Sequence, residues 1–138
     1  MAALRFVRVA RAAGEECTAP NLFYRAWDEC IESQGMDKEA WVRRTLCTIA
    51  SFPRYELGFY DGDTPVGGVT LTVDYDPHVG ECLTVMSQYV LPEYRNAGIS
   101  LRCMRECIVL AKRLGHDMLA YTHRQRDWVY TTTYKRIK

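Results

Sequence analysis

The sequence predicts an α/β protein, with a mixed sheet and helices on its faces (α+β in connectivity). Three observations carry this. Between residues 55 and 91, three β-rich segments follow one another through short turns, the pattern of an antiparallel meander. Leu101 to Leu114 has an apolar stripe wide enough for a helix lying on a sheet. A short strand pattern then follows that helix after a crossover, which makes it parallel to the strand before the helix.

Taken in order, LRFVRVA at residues 4–10 alternates apolar and polar side chains, as a half-buried strand does. Ala12 to Thr18 is a loop, and Pro20 suits the first turn of a helix with Thr18 or Ala19 as cap. Phe23, Trp27, Cys30 and Ile31 follow at helical spacing, and Gly35 stops the run. Asp37 caps a second helix that carries Trp41, Val42, Leu46, Ile49 and Ala50 inward and ends near Pro53. The meander comprises Tyr55 to Tyr60, Pro65 to Tyr75 and Glu81 to Leu91, with turns at Asp61–Thr64 and Asp76–His78. In the long helix, Leu101, Met104, Ile108 and Ala111 share one face, with Cys103, Cys107 and Leu110 beside it. Gly115 ends it, Asp117 to Thr122 is the parallel strand, and Trp128 to Ile137 alternates as a last strand. The predicted order is β-α-α-β-β-β-α-β-β in one domain over residues 1–138.

Bulk properties exclude several function classes. The chain has 138 residues, 48% of them hydrophobic and 25% charged, the make-up of a globular protein with a core of its own. A formal net charge of +1 argues against electrostatically driven binding to nucleic acid or a membrane surface. No apolar run is long enough to span a bilayer. MAALRFVRVARAAG interrupts its apolar stretch with arginines and reads as mature sequence rather than a secretion signal. The six cysteines sit mostly in helical patterns and read as buried thiols in a reducing, cytoplasmic setting. Cys103 and Cys107 are spaced to share a metal, but no Cys-x-x-Cys or histidine cluster supports one.

The stretch VLPEYRNAGIS, residues 90–100, holds the most informative chemistry. A helix that follows a strand through a glycine-bearing turn begins with unpaired backbone N–H groups, which favour an anion. Gly98 lets a phosphate approach closely, Arg95 adds charge and Ser100 adds a hydroxyl; the plain alternative is a turn with a solvated arginine and a capping serine. The stretch resembles the acyl-CoA site of the GNAT superfamily of N-acetyltransferases, whose signature is Arg or Gln, two residues, Gly, one residue, then Gly or Ala. Arg95, Gly98 and Ser100 occupy those places, Ser100 being a departure. DGDTPVGGVTLTV resembles the family's β2–β3 hairpin, and the element order agrees up to about His123.

The resemblance implies an acetyl-CoA-dependent N-acetyltransferase. The strands on either side of the signature helix part, and the pantetheine arm lies in the gap, bonded to backbone near Val90. The pyrophosphate rests on the loop of Arg95, Asn96, Ala97, Gly98, Ile99 and Ser100. An amine attacks the thioester directly, while a backbone donor polarises the carbonyl. Two features depart from the pattern. The strand position that holds a glutamate base in some members is Thr84; Glu81 is the only acid in that strand and points to the opposite face unless a bulge intervenes, so it is either a base or a solvated carboxylate. Gln88 has the parity of Thr84. The remainder HRQRDWVYTTTYKRIK is also too short for the family's further helix and final hairpin, which leaves Tyr130 as the nearest substitute for a tyrosine acid, or else a packing residue.

Two functions follow: transfer of acetyl to an amine of a small molecule or protein, or a catalytically silent GNAT-fold binding or assembly protein, such as a phage structural component in a virion. The last strand lacks gatekeeping charge across Thr131 to Thr133, so pairing with a second copy or another protein through residues 128–137 is expected.

Overall fold

A computed structural model describes residues 3–30 and 35–137. The chain forms β1 (Arg5–Arg11), α1 (Asn21–Trp27), α2 (Lys38–Ala50), β2 (Arg54–Asp61), β3 (Thr64–Asp76), β4 (Gly80–Val90), a 3₁₀ turn (Pro92–Ala97), α3 (Ile99–Leu114), β5 (Met118–Arg126) and β6 (Val129–Arg136). The expected order holds. One six-stranded sheet runs β1-β2-β3-β4-β5-β6, antiparallel except where β4 meets β5 in parallel. β6 is therefore an edge strand, with Thr131, Thr132 and Thr133 exposed. No helix among the described residues is long and apolar enough to cross a membrane.

Strand alternation separates two faces. Phe59 lies under the guanidinium of Arg102 from α3, 4.9 Å away, and a side chain at Gly67 would meet Ile99 of α3 at 3.3 Å. Leu57, Phe59, Val69 and Leu71 share that face and are buried, as are Ile99, Cys103, Cys107, Leu110 and Ala111 of α3. The buried stripe of α3 is centred away from Leu101, which was expected inside but is 58% exposed. Ile99, one turn before Cys103, fills that layer instead. Residues one step over, Glu56, Gly58, Gly68 and Thr70, line a cavity roofed by α1 and α2.

Asp37 caps α2 as expected, its carboxylate accepting from the Ala40 N–H at 3.2 Å. α1 ends at Trp27, before Cys30; the expected continuation through Ile31 falls partly on residues outside those described. The β5–β6 hairpin turns at Asp127 and Trp128, and Trp128 has φ 66°, a left-handed conformation usually left to glycine.

A buried ion pair ties the first third of the chain to the sheet. Arg54, 2% exposed, donates from Nε to Glu56 at 2.8 Å and also reaches the carbonyls of Glu15, Phe52 and Ala50. Glu56 in turn accepts from the Thr18 N–H at 2.9 Å. The loop before α1, the end of α2 and β2 thus meet at one guanidinium. Arg54→Ala would leave the Glu56 carboxylate buried without its cation and should destabilise the protein by about 3–5 kcal/mol in urea denaturation. An Arg54→Met, Glu56→Leu double variant should recover most of that loss. A single-variant cost below about 1 kcal/mol would contradict a buried, charge-paired Glu56.

Candidate functional site

The site begins where β4 leaves its neighbour. The parallel ladder between β4 and β5 has only the pairs Leu83↔Leu119 and Thr84↔Ala120. Beyond Thr84, no strand among the described residues pairs with the side of β4 turned toward β5. On its other side β4 stays paired with β3, but the register shifts: Leu71 faces Val85 and Thr70 faces Ser87, so Met86 is an extra residue. Such a bulge bends its strand and increases its twist, which is what two diverging parallel strands require. It also corrects an expectation. Ser87, not Gln88, lies on the face of Thr84, because the inserted Met86 reverses the alternation.

After β4 the chain is kept in register by the Leu91 N–H donating to Val66 at 2.9 Å. Pro92 opens the 3₁₀ turn, and Gly98, at φ 74° and ψ 15°, swings the chain into α3. A side chain on Gly98 would meet nothing within 4 Å, so the position is restricted by backbone conformation and not by crowding. No side chain caps α3, Ser100 included, and its first turn holds no acid. The first N–H groups of this 16-residue helix are therefore left for another acceptor. Val90 and Ile99 are buried, so only their backbone faces the loop region, while Asn96 and Ser100 are exposed and Ala97 is half-buried.

Arg95 is not turned to that helix start. Its guanidinium forks onto Glu29 at 2.8 and 2.9 Å, and its Nε donates to the Val90 carbonyl at 3.1 Å. The Tyr89 hydroxyl donates to the same Glu29 carboxylate, and Arg95 lies over the Tyr89 ring at 5.6 Å. Arg25 and Glu93 form a second bridge from α1 to this turn at 2.8 Å. No sequence pattern points to Glu29, which sits in a turn after α1 far along the chain from the loop; its role comes from the tertiary contact alone.

The cavity under α1 and α2 has a volume of about 390 Å³ and reaches β4 at Met86, Ser87, Gln88 and Tyr89. Its floor is hollow because Gly58 and Gly68 face each other across β2 and β3 on this side. A Cβ on Gly68 would lie 2.8 Å from the Leu57 carbonyl oxygen, so only glycine fits there. Tyr130 lines the same cavity from β6, opposite Arg124 in the β5–β6 ladder. Glu81 does not reach it. Its carboxylate stands 3.3 Å from Nδ1 of His116, at the end of β4 where the two parallel strands still adjoin. The bulge lies after Glu81 and leaves its alternation unchanged.

None of the six cysteines is in a disulfide, and no cluster that could hold a metal occurs among the described residues. Burial pushes the Cys103 and Cys107 thiols up to about 12 and raises Cys17 as well.

The family model for the acetyltransferase (GNAT) family matches residues 20–128. The chain belongs to this family. The match spans both helices, the bulged β4, the Gly98 turn and all of α3. Among solved structures, an integron cassette protein from the mobile metagenome of V. cholerae is similar at 15% identity and TM-score 0.66, over 88% of this chain and 76% of that one. A GCN5-related N-acetyltransferase from Ralstonia eutropha aligns at 15% identity and TM-score 0.61, over 89% and 85% of the two chains. A predicted acetyltransferase with acetyl-CoA from Clostridium acetobutylicum aligns at 10% identity and TM-score 0.61, over 89% and 82%. At these identities the likeness concerns the fold. No curated protein sequence matches the chain significantly.

The Glu29 cluster has a pH signature. The hydrogen bond from Arg95 holds the Glu29 carboxyl below its ordinary value of 4.5, against an opposing effect of burial. Burial, then the bond to Glu29, pushes the Tyr89 hydroxyl up to about 12, so it remains a donor across the neutral range. A carboxyl whose native pKa is depressed stabilises the fold above its unfolded pKa, and this is lost as pH falls through the native one. Glu29→Gln should therefore cost about 1 kcal/mol or less at neutral pH, since the pair is partly solvated, and nothing at about pH 2. Urea denaturation at both pH values checks this; an equal cost at both would mean that Glu29 acts by packing.

Proposed function

We propose that the protein transfers an acetyl group from acetyl-CoA to an amine, in the gap where β4 and β5 part. The observation that carries this reading is the two-pair ladder followed by the bulge at Met86. It leaves one edge of β4 open to an extended, amide-bearing ligand, which can add to it as a strand would. The pantetheine arm has that chemistry. Its pyrophosphate then falls toward the start of α3, where uncapped N–H groups and the helix dipole favour negative charge.

In this scheme Val90 and the turn from Arg95 to Ser100 bind the cofactor chiefly through backbone. Arg95 holds the turn to α1 through Glu29, so its contribution is to shape the mouth of the gap. The acceptor amine enters the cavity beneath α1 and α2 as the free base, its proton given to water. Its nitrogen attacks the thioester carbon, a C–N bond forms, and a β4 N–H at the bulge stabilises the oxyanion. The C–S bond then breaks, and the sulfur takes a proton from the Tyr130 hydroxyl, which regains one from the amide nitrogen through solvent. Tyr130 is the candidate acid because it lines the cavity. Glu81 is assigned no part, being held at His116.

Calorimetric titration with acetyl-CoA tests the cofactor. Gly98→Val forces a β-branched residue into the left-handed region and should weaken binding at least about tenfold in a protein that still folds. Equal affinity in the folded variant would place the pyrophosphate elsewhere. Tyr130→Phe should lower turnover roughly 10²-fold with acetyl-CoA affinity unchanged; unaltered turnover would make Tyr130 a packing residue.

A further inference from the structure

The acceptor cavity has a chemistry of its own. At about 390 Å³ it lies within the roughly 300–1,000 Å³ of small-molecule sites. Its walls are Val7 and Val9 of β1, Phe23 and Ala26 of α1, and Trp41 of α2, with tyrosine rings toward β4 and β6. Among the described residues Glu56 is the only carboxylate lining it. That carboxylate already faces the buried Arg54 guanidinium at 2.8 Å and the Thr18 N–H at 2.9 Å. At the rim, Arg5 lies over Tyr60 at 4.7 Å and Arg95 over Tyr89 at 5.6 Å, so two rings able to hold a cation are already taken by one.

A ligand bearing several ammonium groups would have to strip water from each of them without meeting an open counter-charge among the described residues, at a cost that apolar contact does not offset. A single amine differs. It loses its proton before attack, and its nitrogen needs to stand only beside hydroxyls of the lining such as those of Ser87 and Tyr130. We infer that the acceptor is a monoamine with an apolar body, aromatic or branched alkyl, and not a polyamine or aminosugar. The inference rests on the acetyltransferase reading above and narrows its acceptor. The body lies between α1 and the Gly58–Gly68 floor, and selectivity arises from desolvation of the rejected cations.

The test measures CoA release with 2-phenylethylamine, spermidine and kanamycin in turn, on the full chain. The kcat/KM for 2-phenylethylamine should exceed that of either polycation at least about tenfold. Ala26→Phe, which puts a ring into the cavity, should cut it by about the same factor and leave acetyl-CoA affinity as it was. Calorimetric titration with each amine gives a readout independent of turnover, and 2-phenylethylamine should bind in an Ala26-dependent way. Preference for spermidine or kanamycin would overturn the inference, as would insensitivity to Ala26→Phe. If acetyl-CoA binds but 2-phenylethylamine neither binds nor reacts, this inference fails and the acetyltransferase reading stands. If acetyl-CoA does not bind, that reading fails, and the amine titrations alone decide the character of the cavity.

Discussion

Everything distinctive about this molecule depends on β4 having two neighbours for part of its length and one for the rest. Backbone N–H and C=O groups in a protein interior need partners, and a strand that loses a neighbour must find them in side chains, water or a ligand. Here the parting follows Thr84 and Ala120, and the extra residue Met86 bends β4 just beyond it. One acceptor on the freed stretch, the Val90 carbonyl, is taken by Arg95. The remainder of that edge is the natural seat for an extended chain of amides, and the uncapped start of α3 lies at its end.

The helices over the neighbouring cavity are tied to the sheet by more than apolar contact. Two polar clusters do this. Arg54 and Glu56 join the loop before α1, the end of α2 and β2 into one buried knot under the cavity. Glu29, Arg95 and Tyr89, with Arg25 and Glu93 beside them, fix the far end of α1 to the turn after β4. The helices can thus stand over the sheet without filling the space beneath them. The same knot neutralises the carboxylate in the cavity wall, and the acceptor selectivity proposed above rests on that pairing.

The element order was legible because each element carries its own period: two in LRFVRVA and the meander, three to four in the stretch from Leu101 to Leu114. The Gly98 turn was legible too, since a glycine between a strand and a long helix has few other uses, and the structure gives it a positive φ. The bulge was not. Met86 has no residue-type signature, and its insertion accompanies the parting of strands distant in sequence, so Gln88 was expected on the face that Ser87 occupies. Arg95 was expected to face a bound anion; the structure pairs it with Glu29, 66 residues away, and no local pattern links the two. Arg54 and Glu56 offered a fainter signal, opposite charges two apart on one side of a strand whose other residues are mostly apolar. Leu101 shows the remaining weakness: a helix face is known to within a turn, and one residue's rotation moved it to solvent.

Amide hydrogen exchange with and without acetyl-CoA tests the central claim most directly, because it reports on the backbone groups that the parting of β4 and β5 leaves open. The account predicts slower exchange confined to residues 86–90 of β4 and the first turn of α3 when acetyl-CoA is present, with β1 and β2 unaffected. Binding without protection there, or protection centred on another strand, would contradict it.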